Sequence, residues 1–124
     1  MEPIRVLLVD DALFMRSMIR DVLARSGRFE VVGEASNGRE AISMYVELRP
    51  DLVTMDIVMP EMDGIEATRE IVRIDPGANI VICSALGQED LVIESIAAGA
   101  RDFIVKPFAE EKVMQVLNNV LRAA

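Results

Sequence analysis

The sequence predicts an α/β fold, a parallel sheet with helices on both faces, and three observations carry that prediction. Short apolar runs alternate with amphipathic segments five times along the 124 residues, the pattern of successive βα units. Four of the runs are apolar throughout, as strands buried on both faces must be. The same four end in reactive polar residues: VLLVDD in Asp10 and Asp11, LVTMD in Asp56, IVICS in Ser84 and FIVK in Lys106. In a parallel sheet those ends share one edge, where open α/β sheets place their sites.

The strands are predicted at Arg5–Val9, Phe29–Ala35, Leu52–Met55, Asn79–Cys83 and Phe103–Val105. The second differs from the rest, because Phe29, Val31, Gly33 and Ala35 alternate with Glu30, Val32 and Glu34. It reads as a half-exposed edge strand lying outside the first. The first helix repeats Met15, Met18, Ile19, Val22 and Leu23 on one side, with Arg16, Arg20, Asp21 and Arg25 opposite, and stops at Gly27. The second follows Asn37-Gly38, buries Ala41, Ile42, Tyr45 and Leu48, and ends before Pro50. The third starts near Gly64, buries Ala67 and Ile71, and ends at Asp75-Pro76-Gly77. The fourth runs from Glu89 to Ala98 with Gly99 as its cap. The last carries Val113, Val116, Leu117, Val120 and Leu121 in one stripe, with Glu110 and Glu111 at its positive amino end. No repeat or linker interrupts this order, so residues 1–124 read as a single domain.

Composition narrows the chemistry. A net charge of −8 opposes binding to nucleic acid or to an anionic membrane. With no His and one Cys, zinc sites of His and Cys, His-based acid/base catalysis and internal disulfides are excluded. No apolar run approaches the about 18 residues of a membrane span, and no signal-like segment precedes the first strand, so the expected compartment is the cytoplasm.

Carboxylate, hydroxyl and lysine chemistry remains. Carboxylates gathered at one edge stay ionised only with a cation among them, and a hard divalent ion with oxygen ligands answers that need. Each residue also has a plainer reading. Asp11 could cap the first helix, Ser84 could serve a turn, and Lys106 could be a solvated surface lysine. Asp56 is harder to dismiss, since a carboxylate ending a buried strand requires partners. Lys106 lies between Phe103-Ile104-Val105 and Pro107-Phe108, and such apolar surroundings call for an anionic partner; its bond to Pro107 is a candidate cis peptide.

The set of Asp10-Asp11, Asp56 followed by IVMPEMDG, Ser84-Ala85 and Lys106-Pro107-Phe108 resembles the receiver domain of bacterial two-component response regulators over nearly the whole chain. The details DDALFMR, NGREAI, CSALGQ and RDFIVKPF are most similar to its stand-alone chemotaxis members. The resemblance implies a flavodoxin-like (βα)5 doubly wound sandwich with strand order 2-1-3-4-5, the order for which these receivers are themselves a type example.

It further implies that Asp56 accepts a phosphoryl group from a histidine kinase. Mg²⁺ would be held by Asp11 and Asp56, by Asp10 directly or through water, and by the main-chain carbonyl of Val58. Lys106 would pair with Asp56 and then with a phosphoryl oxygen, to which Ser84 would also donate. Phe103 would change rotamer as Ser84 moves, although a core aromatic is the plainer reading. The output face would comprise the fourth helix, fifth strand and fifth helix, including Ser95, Ala98, Lys112 and Asn119, for a target such as a flagellar motor switch protein. Val58 and Leu86 replace commoner polar choices and imply slow or phosphatase-dependent loss of phosphate. Met59, Met62 and Phe14 would form an accessible apolar patch, or else fill core gaps.

Two other readings compete. A phosphorelay carrier would pass the group to another histidine. A metal-dependent phosphohydrolase would want an acid two residues beyond its nucleophile, where Val58 and Ala12 stand for Asp56 and Asp10. A nucleotide-binding module is weaker still, because neither GxGxxG nor GxxxxGK[ST] occurs.

Overall fold

β-branched runs and helical stripes alternate here as ten elements, in a computed structural model that describes residues 2–123. In order they are β1 (Ile4–Val9), α1 (Leu13–Ser26), β2 (Phe29–Ala35), α2 (Gly38–Leu48), β3 (Leu52–Asp56), α3 (Gly64–Ile74), β4 (Ile80–Ser84), α4 (Glu89–Ala98), β5 (Asp102–Val105) and α5 (Glu110–Ala123). All neighbouring strands are parallel, in the order β2-β1-β3-β4-β5. This is the flavodoxin-like arrangement expected, and β2 is an edge strand.

The period of two along each inner strand divides the core between the faces of the sheet. Leu7, Val9, Val53, Met55, Ile80 and Ile82 pack against α2, α3 and α4. Val6, Leu8, Leu52, Val81, Cys83 and Ile104 pack against α1 and α5. The α5 stripe of Val113, Val116, Leu117 and Val120 is buried as its spacing predicts, and a fully buried Leu or Ile contributes roughly 1.5–3 kcal/mol.

The helix ends are chemically specified. Asn37 and Asp63 cap α2 and α3 by accepting the amides of Glu40 and Glu66. Gly27 ends α1 in the left-handed region, with φ 72°.

In β2 the expected regular alternation fails. Val6 pairs with Val31 but Leu7 pairs with Gly33, so Val32 is an extra residue in the outer strand. A one-residue slip exchanges the faces of everything after it. Phe29 and Val31 therefore pack with the α1 and α5 side, whereas Ala35 joins the opposite core. Glu34, opposite Leu8, turns toward α1.

Candidate functional site

Strand register lines up the polar residues. Val9 pairs with Met55, Asp56 with Cys83, and Ser84 with Val105. Asp10, Asp56, Ser84 and Lys106 therefore lie within a residue of one line across the carboxyl edge. The main chain reinforces this, since the Lys106 amide donates to the Ser84 carbonyl at 2.7 Å.

The side chains converge. Lys106 Nζ donates to Asp10 Oδ2 at 3.1 Å and to Asp56 Oδ1 at 3.2 Å. Asp10 and Asp56 are only 2% and 8% exposed, so one ammonium serves two buried carboxylates. Asp11 is exposed, yet one carboxylate oxygen from each of Asp10, Asp11 and Asp56 lies within 4.8 Å of the others. The lysine is therefore neither solvated nor unpaired, and its bond to Pro107 is cis.

Local bonds fix the two buried acids. Asp10 Oδ1 accepts the Ala12 amide at 2.9 Å, and Asp56 Oδ1 accepts the Ile57 amide at 2.9 Å. The plain reading of Asp11 as a helix cap does not hold. Ala12 occupies the cap position without a side-chain bond, and Asp10 shapes the turn instead.

Burial and the Asp10 charge push the Asp56 carboxyl above the ordinary carboxylate range, with the Lys106 ammonium pulling the other way. Burial alone would lower the lysine, but the carboxylates of Asp56 and Asp10 outweigh it and hold Lys106 above its usual value. Three carboxylates against one ammonium leave excess negative charge in a small volume. That donor set fits a hard divalent cation such as Mg²⁺.

The remaining predicted residues surround this cluster. Val58 is exposed in the loop after β3, and Leu86 is exposed after β4. Ser84, the last residue of β4, is buried and belongs to the strand rather than to a turn. Phe103 lies opposite Ile82 on β5 and is 40% exposed, so it is not an ordinary core aromatic. With Ser84, Leu86, Ile93 and Val105 it lines a groove of about 260 Å³ between α4 and β5.

Two surface expectations fail. Ser95 is fully buried, its hydroxyl turned back to the Val92 carbonyl at 2.7 Å, and the large apolar side chains that α4 does expose are Ile93 and Ile96. Met59 is a core residue packed with Met55 and Ile65, whereas Phe14 is 73% exposed.

Sequence reasoning missed two supports. Arg16, read only as part of a polar helix side, donates from Nη1 to the Asp10 carbonyl at 2.6 Å and from Nε to Glu34 at 2.8 Å. Arg16 and Arg20 both pair with Glu34, a contact that depends on the shifted register of β2 and so left no signal in the sequence. Gly64 is the second: a Cβ there would lie 1.9 Å from the Asp56 carbonyl oxygen. Its amide donates to the Ile57 carbonyl at 2.7 Å, closing the β3–α3 loop over the end of β3.

Residues 6–118 match the family model for the response regulator receiver domain. The chain belongs to that family. This receiver is 60% identical over 116 residues to the chemotaxis protein CheY of Thermotoga maritima, covering 94% of this chain and 96% of that protein. It is 58% identical over 117 residues to CheY of Bacillus subtilis, covering 94% and 97%. Among solved structures it resembles a chain of the CheX-CheY-BeF3-Mg+2 complex from Borrelia burgdorferi, with a TM-score of 0.89, 38% identity and coverage of 95% and 89%. The receiver is a signalling module of the two-component class, its sheet order and acidic pocket those of a phosphorylation-activated response regulator. No helix among the described residues is long and apolar enough to cross a membrane.

Proposed function

We propose that the chain is a chemotaxis switch, a single domain that accepts a phosphoryl group on Asp56 from a histidine kinase. One observation carries this reading: the Asp56 carboxylate stands at a strand end beside a lysine ammonium and two further carboxylates. That is the charge arrangement an acceptor aspartate needs.

In the transfer a carboxylate oxygen of Asp56 bonds to phosphorus as the P–N bond to the kinase imidazole breaks. The imidazole leaves with the electron pair and gains a proton from solvent. Asp10, Asp11, Asp56 and the Val58 main-chain carbonyl would hold Mg²⁺, which when bound offsets charge on the phosphoryl oxygens. Lys106 then exchanges its contact with Asp56 for a phosphoryl oxygen, and the Ser84 hydroxyl donates to another. The new charge and acceptors draw Ser84 and its loop inward. Phe103, beside Ser84 in the α4–β5 groove, changes rotamer with it.

Phosphorylation thereby shifts an existing equilibrium of the α4-β5-α5 face. That face regulates the target, and flagellar motor control is the output supported by the chemotaxis relatives. The chain would act as a cytoplasmic monomer, with a phosphatase ending the signal, since the exposed apolar Val58 beside Asp56 offers no group to orient an attacking water.

The test is incubation with acetyl phosphate and Mg²⁺. A base-labile, hydroxylamine-sensitive adduct of one phosphoryl group per chain is expected, and it disappears in Asp56→Asn. Turnover of small phosphate esters without a lasting adduct would instead indicate a hydrolase.

A further inference from the structure

Arg16 has no part in the transfer as described, yet it is the one α1 side chain bonded to the main chain of an acidic-pocket residue. Its guanidinium bridges two elements: Nη1 to the Asp10 carbonyl at the end of β1, and Nε to Glu34 on β2. Its side chain is only 15% exposed, so these bonds are held largely out of water. Glu34 reaches α1 because the extra residue Val32 turns it to that face. Arg20 pairs with the other oxygen of Glu34 and has no bond to Asp10.

We propose that Arg16 is a positioning residue for the divalent-cation site, setting the Asp10–Asp11 turn through the Asp10 carbonyl while Glu34 anchors its other side. The inference rests on the cation-assisted acceptor reading above. The Asp10 carbonyl faces Arg16 while its carboxylate closes the turn to the Ala12 amide. A rigid donor on the carbonyl therefore limits rotation of the whole peptide that presents Asp10 and Asp11. Partners that orient ligands rather than touch the ion commonly govern affinity.

Arg16 reaches its two acceptors from two separate nitrogens of one rigid plane, Nη1 and Nε, whereas a lysine has a single nitrogen, so Arg16→Lys keeps the charge and is expected to lose the bridge. Three proteins separate geometry from charge: wild type, Arg16→Lys and Arg20→Lys. Mg²⁺ affinity is measured by calorimetry, and hydrogen exchange of the Ala12 amide is measured in metal-free protein. Arg16→Lys is expected to raise the Mg²⁺ Kd about tenfold and to speed Ala12 exchange, while Arg20→Lys stays near wild type in both.

An unchanged Kd in Arg16→Lys, or an equal loss in Arg20→Lys, overturns the proposal. Should Arg16→Lys fail to fold, Glu34→Ala carries the same test through the Ala12 amide, and unaltered exchange there overturns it. A wild type that takes up phosphate beside an indifferent Arg16→Lys defeats this inference alone. A wild type that binds no Mg²⁺ and forms no adduct defeats the parent reading with it.

Discussion

Lys106 Nζ lies 3.2 Å from Asp56 Oδ1, tying the residue after the last strand to the end of the central one. The same nitrogen holds Asp10, so a single positive charge is shared between two buried negative ones. The pocket is therefore under electrostatic tension when no divalent ion is present.

That tension makes Asp56→Asn a stabilising substitution in metal-free protein. A carboxyl whose folded pKa is raised contributes stability that is present below its unfolded value, near 3.8, and lost as pH rises through the folded one. The advantage of Asp56→Asn is thus absent in acid and grows toward pH 7. Thermal unfolding in EDTA at several pH values measures it, and Mg²⁺ should close the gap by stabilising wild type alone. A neutral-pH Tm below wild type in EDTA would contradict the electrostatic account.

The lifetime of the aspartyl phosphate should depend on Val58. Its exposed isopropyl group cannot orient an attacking water, and Val58→Asn supplies an amide that can. Loss of radiolabel from purified phosphoprotein is expected to quicken several-fold, and an unchanged decay rate would count against the assignment.

Far from the pocket, the buried Tyr45 hydroxyl donates to Asp75 Oδ2 at 2.7 Å, joining α2 to the turn after α3. That bond, the Gly77 amide and Arg49 hold the Asp75 carboxyl below its usual range. The associated stability is present above the ordinary carboxyl value and lost as pH falls. Tyr45→Phe should lose about 1 kcal/mol at pH 7, a figure reduced because Asp75 is partly solvated. Urea unfolding at pH 7 and pH 3 should find a smaller loss in acid.

Gly64→Ala should be the most damaging of these changes. The added carbon meets backbone, the Asp56 carbonyl, rather than a side chain that can swing aside. A loss of about 3 kcal/mol is expected by chemical denaturation, with phosphoryl uptake falling as the β3–α3 loop shifts.

Much of this was legible because two periods rarely conflict. The apolar inner strands and the α5 stripe predicted their elements to within a residue or two, and the strand-end polar residues predicted the cluster. What escaped was three-dimensional. Alternation in β2 looked regular because an extra residue in an edge strand leaves no mark on composition, so neither the reversed face of Glu34 nor the bridge through Arg16 could be read. Ser95 was misjudged for another reason: a small hydroxyl on a helix can satisfy itself on the preceding turn, and so needs no solvent. The plainer reading of Asp11 as a cap failed because adjacent acids offer the same chemistry to the same turn, and it is Asp10 that accepts the Ala12 amide.

Val32 is one surplus residue in the outermost strand, remote in the sequence from every acid of the pocket. Grafting the three aspartates and the lysine onto a perfectly regular sheet would deliver the charges but leave the first acidic turn unbraced, because the glutamate would point to the wrong layer. An irregularity at the margin is thus part of what an engineer would have to transplant.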